Sequence, residues 1–380
     1  MPPRGATKAP ITVLSVRALN RATLSRQMLL ERASVPLETA IERLVGLQAQ
    51  APHPPYVGLW SRVADFRAEE LSELLLTRRA VRIALMRSTL HLVTADDCLR
   101  LRPTLQPMLE RGLQGGFGKR LRGVDLEALL AAGRALLAER PLTFAELGAR
   151  LRETFPAHDA QALGYALRAH SSLVQVPPRG LWGRGGPAAH AIAEDWIPTA
   201  RRSRRRSAHT VEDLVRRYLG AFGPASVRDI QAWSGLTRLA ERVESMRDLV
   251  RFQSEGGTAL FDLADAPRPG PDSPAPIRFL PEWDNLLVSY ADRSRMLAPE
   301  HRLHVFTNNG LIPGTVLVDG FAKASWRLER PDGQAILRVE PFVKLSKVVQ
   351  SKIAAEGEAL LSFLTDTPAA RRDVRFGAAP

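Results

Sequence analysis

Apolar and polar positions in this chain repeat with the helical period over most of its length. Leu37, Ala40, Ile41, Leu44 and Val45 follow the i, i+3, i+4, i+7, i+8 spacing of a half-buried helix. Ser34 is a candidate N-cap and Pro36 suits the first turn. Gln48 falls eleven residues after Leu37, about three turns on, near the same face. Pro52 biases Ala51 towards an extended conformation, so the pattern predicts a helix that runs to Gln48 and stops there. Further helices are predicted over Val13–Asn20, Thr23–Ala33 and Glu69–Thr77. Val81–Arg87 and Thr89–Val93 alternate as a strand pair turning near Arg87-Ser88. Three helices and a small strand pair fit a winged helix-turn-helix.

The order recurs twice. Helices are predicted over Asp125–Arg140, Thr143–Phe155 and Asp159–Ser171, followed by a hairpin of Leu173–Val176 and Leu181–Gly183 across Pro177-Pro178-Arg179-Gly180. Trp182 in that hairpin is expected to pack into the core of its own segment. A third round comprises helices over His209–Phe222, Ser226–Ser234 and Thr237–Val243, then strands at Leu249–Ser254 and Ala259–Leu263. Thr143-Phe144-Ala145-Glu146 and Ser226-Val227-Arg228-Asp229 carry the capping pattern of a helix start.

The Pro-, Asp- and Gly-rich stretch Ala264–Pro276 reads as a linker. Beyond it, Val316–Gly320 signals a hairpin with Phe321–Leu328 as the returning strand, a second turn falls at Pro331-Asp332-Gly333, and Val343–Leu364 is helical. The expected fold is mainly α with small β wings (α+β): tandem winged helix-turn-helix motifs plus a C-terminal α/β segment carrying a β-hairpin. The expected segments are a disordered lead-in over 1–10, winged helices over 11–120 and 121–200, a basic linker with a third winged helix over 201–265, the hairpin region over 277–365, and a loose tail over 366–380.

Charge changes this picture. The net charge is +13 with a pI near 10.8, which points to a polyanionic partner. Only six of the 53 cationic residues are lysines, and arginine binds phosphate bidentately. The run Arg201, Arg202, Arg204, Arg205 and Arg206 is either a solvated linker or a phosphate contact. Cys98 is the single cysteine, which excludes an intrachain disulfide and a Cys-based zinc site and suits a reducing compartment. No apolar run approaches the ~18–20 residues that span a bilayer, and Met1–Pro10 lacks the apolar core of a secretory signal.

Several chemistries find no support. There is no phosphate-binding loop; Gly183-Arg184-Gly185-Gly186 lacks the strand-turn-helix spacing. His301 and His304 have no third ligand near in sequence. The six lysines lie in charged or loop contexts unsuited to a desolvated nucleophile. Gln48 and Gln50 remain. Two amides at a helix end can cap the helix and the turn after it. If the chain is extended there, residues two apart face the same way and both amides line one cavity.

Taken in order, Gln48-Ala49-Gln50 with Tyr56–Trp60, Met86–Val93, Leu181-Trp182-Gly183, Phe279–Leu287 and Gly314–Gly320 resemble the AlkZ/YcaQ family of bacterial winged-helix DNA glycosylases, over roughly Val13 to Leu364. The resemblance implies that Gln48 and Gln50 are the catalytic pair, in the Gln-apolar-Gln version of the family's motif. It implies a basic concave surface with a β-hairpin reaching the DNA; the turns at Asp319-Gly320 and Asp332-Gly333 both qualify. It also implies removal of N7-alkylated guanine, including bulky natural-product adducts and interstrand crosslinks, in repair and toxin self-resistance.

The expected partner is double-stranded DNA containing alkylated purines, met by a monomer in the bacterial cytoplasm at the nucleoid, with no cofactor, metal or membrane. Expected DNA contacts are Arg87, Arg179, Arg184, Arg201, Arg202, Arg204, Arg205, Arg206 and Lys323; expected pocket residues are His53, Tyr56, Trp60 and His91. A neutral pair would suit a cationic lesion, whose base departs uncharged and needs little acid catalysis. The alternative is a non-catalytic winged-helix transcriptional regulator, which would present a recognition helix to the major groove.

Overall fold

The computed structural model describes residues 11–198, 207–307, 310–365 and 371–378. They form a mixed α/β molecule with three sheets among the described residues. The chain opens on a short strand, Val13–Leu14, parallel to Leu249–Ser254, which pairs in turn with Ala259–Leu263. One helix follows, Val16–Arg26, where the pattern predicts two. Ser15 accepts from the Ala18 amide at 3.1 Å and so starts the helix after the strand rather than before it. Met28, at φ 57°, ends it, and Thr23–Ala33 is not a continuous helix.

The helix predicted to reach Gln48 spans only Leu37–Arg43. Val45 at φ 52° and Gly46 at φ 84° turn the chain sharply. A Cβ at Gly46 would lie 2.6 Å from Val93 Cγ1 and 2.8 Å from the Leu92 carbonyl, so only glycine fits this approach. Leu47–Gln48 therefore leaves the helix as an edge strand, with Leu47 opposite Leu92 and Gln48 opposite His91. Pro36, not Ser34, precedes the first turn.

The strand pair is present as Ala80–Ala84 and Leu90–Thr94, joined through a single tight turn at Met86–Ser88. Thr94 caps the next helix, Ala95–Thr104, and Gln106–Phe117 follows; neither was predicted. Leu126–Glu139, Phe144–Thr154 and Ala160–His170 match the periodicity, capped by Asp125, Thr143 and Asp159. The hairpin after them differs. Leu173–Gln175 returns as Ala189–Ile192, not as Leu181–Gly183. Gly180, Gly183 and Gly186 all have positive φ, which bends residues 177–188 into a loop. Ala80–Ala84 pairs with Leu173–Gln175, so strands from two predicted wings share one six-stranded sheet.

Val211–Phe222, Val227–Ser234 and Ala240–Ser245 supply the third set of helices. The five-stranded sheet runs Arg278–Leu280, Gly314–Val318, Phe321–Glu329, Ala335–Pro341, Arg372–Phe376. Asp319 (φ 48°) and Gly320 (φ 82°) make its first hairpin turn. Helix Lys347–Leu364 buries Ile353, Leu360 and Leu361 in the core that Phe279, Val316 and Val339 also enter. The tail expected to be loose contributes a strand: Arg372–Phe376 lies parallel to Ala335–Val339. No described helix is long and apolar enough to cross a membrane.

Candidate functional site

Four hydrogen bonds fix the segment Gln48-Ala49-Gln50. The Ala49 amide donates to the Leu90 carbonyl at 2.7 Å, continuing the ladder one residue past the strand. The Gln50 Oε1 accepts from the Leu90 amide at 2.9 Å. The Ala49 carbonyl accepts from Arg82 Nη2 at 2.8 Å. The Gln48 Oε1 accepts from Arg87 Nη2 at 2.9 Å. Backbone amides and guanidinium groups only donate, so both side-chain amides turn an oxygen towards the protein. Their NH₂ groups make no hydrogen bond among the described residues. Gln48 is buried and Gln50 exposed, so the pair spans the boundary between core and solvent.

Gln48 also faces a small cavity lined by Leu44, Leu47 and Pro281 together with the polar residues Gln27, Arg62, Asp284 and Asn285. At about 10 Å³ it offers the space of roughly one water. Arg62 holds Asp284 through bonds of 2.9 and 2.8 Å, and Asp284 Oδ1 also accepts from the Leu286 amide at 2.9 Å. That carboxylate is occupied as a clamp between Arg62, just past the helix Pro54–Trp60, and the short helix Asn285–Val288. Asn285 donates to the Gly46 carbonyl at 3.0 Å and so pins the turn that releases Gln48 from its helix.

Just beyond Gln50, Ala51–Pro54 form one wall of a larger cavity of about 860 Å³. Trp182 and Trp326 line it, with Glu282, Arg184 and Arg330 among its polar groups. The two cavities share Pro54 and Pro281. Burial raises the Glu282 carboxyl above its usual range. Burial and then Arg330 lower the pKa of His53, which stays neutral near pH 7.

The predicted site residues divide accordingly. Gln48, Gln50, Arg87 and His91 meet on the strands Leu47–Gln48 and Leu90–Thr94 and the turn before them. His53 and Arg184 line the larger cavity. Arg87 is not an outward phosphate contact: it is partly buried and donates to Gln48, to the Trp233 carbonyl at 2.8 Å and to Asn285 Oδ1 at 3.4 Å. Burial pulls its guanidinium down to about 10.

His91 is fully buried, and its Nδ1–H donates to the Thr89 carbonyl at 3.0 Å. Burial and Arg87 drive its pKa to about 3, so it is a neutral backing residue rather than a pocket wall. Tyr56 is buried too; its hydroxyl donates to the Gly180 carbonyl at 2.7 Å. Trp60 lines neither cavity; it stacks on Phe363 at 6.1 Å under Arg32. Arg179 donates to the Gly186 carbonyl within its own loop. Lys323 sits half-buried in Phe321–Glu329 and lines neither cavity. Arg201, Arg202, Arg204, Arg205 and Arg206 lie outside the described residues.

Trp182 does not join its own segment's core. It packs on Tyr56 at 4.9 Å, Phe363 at 5.2 Å and His53 at 5.8 Å, tying three distant stretches together at the cavity. His301 and His304 pack against Phe342. Sequence reasoning missed Arg82, Asp284 and Asn285. Arg82 had a signal, since an arginine in the middle of a strand pattern is costly to bury unless it holds something.

A family model described as DNA glycosylase AlkZ-like matches residues 41–363. No curated protein matches the chain by sequence. Among solved structures, the Streptomyces sahachiroi DNA glycosylase AlkZ is similar at a TM-score of 0.75 and 21% identity, covering 96% of this chain and 100% of that one.

Proposed function

The chain belongs to the AlkZ-like DNA glycosylase family, and from that premise we propose that it is a monofunctional glycosylase for N7-alkylated guanine, with Gln48 and Gln50 as its catalytic pair. The observation that carries this reading is the clamped pair itself. Two neutral amides are held by the protein, Gln48 on the small cavity and Gln50 next to Ala51 of the larger one, while the buried carboxylate near Gln48 is already committed to Arg62.

In the reaction a water oxygen bonds to C1′ as the C1′–N9 bond breaks. The bonding pair moves into the base and cancels its positive charge, so the base leaves neutral and a proton is released to solvent. The transition state is oxocarbenium-like. Each amide oxygen has two lone pairs, and the protein occupies one. The second on Gln48 or Gln50 accepts from the attacking water and fixes its approach. Neither amide is a base at neutral pH, so a neutral base such as uracil, which leaves badly, should not be released.

The larger cavity would take the extruded nucleotide and whatever it carries, in keeping with bulky adducts. The cavity lining favours one of the two hairpin turns as the DNA-facing one. Asp319 is tied to Arg17 and Arg21, and a Cβ at Gly320 would collide with Asn20, so that turn is anchored inside the protein. The hairpin of Phe321–Glu329 and Ala335–Pro341 instead lends Arg327, Arg330, Gly333 and Gln334 to the cavity, and we assign it to the DNA.

The test is single-turnover excision from a duplex holding one N7-methylguanine, read by alkaline cleavage of the abasic site. Gln48→Ala and Gln50→Ala should each slow it by roughly 10- to 1,000-fold, about 1.4–4 kcal/mol of transition-state stabilisation, with DNA affinity unchanged. Uracil released as fast as N7-methylguanine, or alanine variants that fold and excise at the wild-type rate, would refute the reading.

A further inference from the structure

The Gln48 amide is not free to choose its orientation, and the group that decides it is Arg87. This arginine sits in the turn Met86–Ser88 with φ 56°, and Ser88 beside it has φ 59°. Two consecutive left-handed residues without glycine are strained, because the Cβ of each crowds the following carbonyl. The neighbours hold them there. The Ser88 carbonyl accepts from Arg168 Nη2 at 3.1 Å. The Arg87 Cα lies 3.5 Å from where a Cβ of Gly235 would be.

The turn delivers the guanidinium inward, where it bridges three stretches of chain: Gln48, the Trp233 carbonyl and Asn285. Asn285 completes the arrangement, because its Nδ2 donates to the Gly46 carbonyl and its oxygen must then face Arg87. No carboxylate bonds to this guanidinium among the described residues. The titratable groups that act on it are Tyr218, Arg293 and His91.

We propose that Arg87 is a positioning residue for excision: by occupying one lone pair of the Gln48 oxygen it fixes the direction of the other, and it acts on the reaction only through Gln48. The inference rests on the assignment of Gln48 to catalysis. Without the guanidinium the amide can rotate about its last bond and exchange donor for acceptor. The second lone pair of Gln48 would then no longer be held where water needs it. A strained turn kept in place by a second region of the protein is the kind of feature that positions a group rather than adds stability.

A double-mutant cycle separates this from a structural or DNA-contact role. Arg87→Gln keeps a donor for the Trp233 carbonyl and removes the fork; Arg87→Met removes both. Each is expected to lower the single-turnover rate about 10-fold or more while the dissociation constant for duplex DNA stays within about twofold. Combined with Gln48→Ala, either should cost no more than Gln48→Ala alone. Melting temperatures on the same preparations show which variant is folded, and Arg87→Gln carries the cycle if Arg87→Met is not.

Losses that multiply in the double variant, or weakened DNA binding at an unchanged rate, overturn the proposal. A slow Gln48→Ala with a wild-type Arg87→Gln overturns it while the catalytic reading survives. A wild-type Gln48→Ala removes both together.

Discussion

Arg26 and Arg62 are buried against carboxylates; Arg82 is buried, and Arg87 partly buried, against neutral oxygens. Arg26 meets Asp262 at 2.6 and 2.8 Å, and Arg268 adds a third bond at 2.6 Å. That cluster ties the first helix to the Ala259–Leu263 strand, and each of its guanidinium groups bonds the Asp262 carboxylate. At the glutamine edge Arg82 holds the Ala49 carbonyl and Arg87 holds Gln48, with no carboxylate bonded to either guanidinium among the described residues. Burial draws both guanidinium groups down to about 10. Among the described residues Arg82 leaves Nε and Nη1 without partners, where Arg62 leaves only Nε. A buried ion pair fixes architecture. A buried cation on a neutral amide polarises that amide and dictates its orientation. The contrast locates the place where the fold accepts a cost for the sake of geometry.

The contrast predicts its largest effect where the arginines bond a carboxylate. Asp262→Ala strands Arg26, whose side chain is 1% exposed, beside Arg268. The expected loss is about 3–5 kcal/mol of unfolding free energy, read by urea titration. Excision per folded molecule at low temperature should stay at the wild-type rate. If stability is unchanged and excision falls instead, the two sets of arginines do not divide as described.

Much of the frame follows from local sequence rules. The three capped helices at Asp125, Thr143 and Asp159, the strands Leu249–Ser254 and Ala259–Leu263, and the Asp319-Gly320 turn all lie where capping and alternation put them. What failed was non-local. Val13–Leu14 reads as helical until Gln253 and Ser254 supply a parallel partner. Leu47–Gln48 continues a helical stripe on paper, but Gly46 ends it because Val93 and Leu92 crowd that position. The tail becomes a strand only because Ala335–Val339 offers an open edge.

At the site, Gln48 and Gln50 stand out by motif, while Arg87 reads as one more surface arginine. Its inward role needs the left-handed turn and Asn285, which is 198 residues away in sequence. No short-range pattern carries that information.

A smaller effect should appear in acid. His91 and His190 sit at about 3 and about 4 in the folded chain, against 6.5 in the unfolded one. Burial is the first cause for both; Arg87 is the second for His91 and Arg168 for His190. Because the folded values are the lower ones, the unfolded chain takes up protons first. The stability these neutral rings provide is present above pH ~6.5 and is lost as pH falls towards their folded values. The slope reaches about 1.4 kcal/mol per pH unit for each ring. Comparing the wild type with His91→Leu isolates one of them, since carboxylate titration is common to both proteins. The difference in unfolding free energy should change by about 2 kcal/mol between pH 6.5 and 5. A pH-independent difference would mean that Arg87 and His91 do not share a dry pocket.

The smallest effect belongs to an arginine held by neither device. Arg184 is exposed on the rim of the larger cavity, in a loop where a Cβ at Gly183 or Gly185 would meet nothing within 4 Å. Its side chain makes no hydrogen bond or ion pair among the described residues. No described residue bonds this cation, so Arg184→Ala should change the unfolding free energy by no more than about 0.5 kcal/mol, as ordinary surface changes do. DNA is where it should count. One phosphate contact contributes about 0.9 to the slope of log affinity against log salt, and the variant's slope should be shallower by about that amount. Affinity should fall only a few-fold at moderate salt, and equally for damaged and undamaged duplexes, because phosphate contacts carry no information about the base. Excision from saturated complexes should not change. An equal salt slope would place the DNA away from this rim, and with it away from the hairpin that faces the same cavity. A loss confined to damaged DNA would instead put Arg184 on the extruded base.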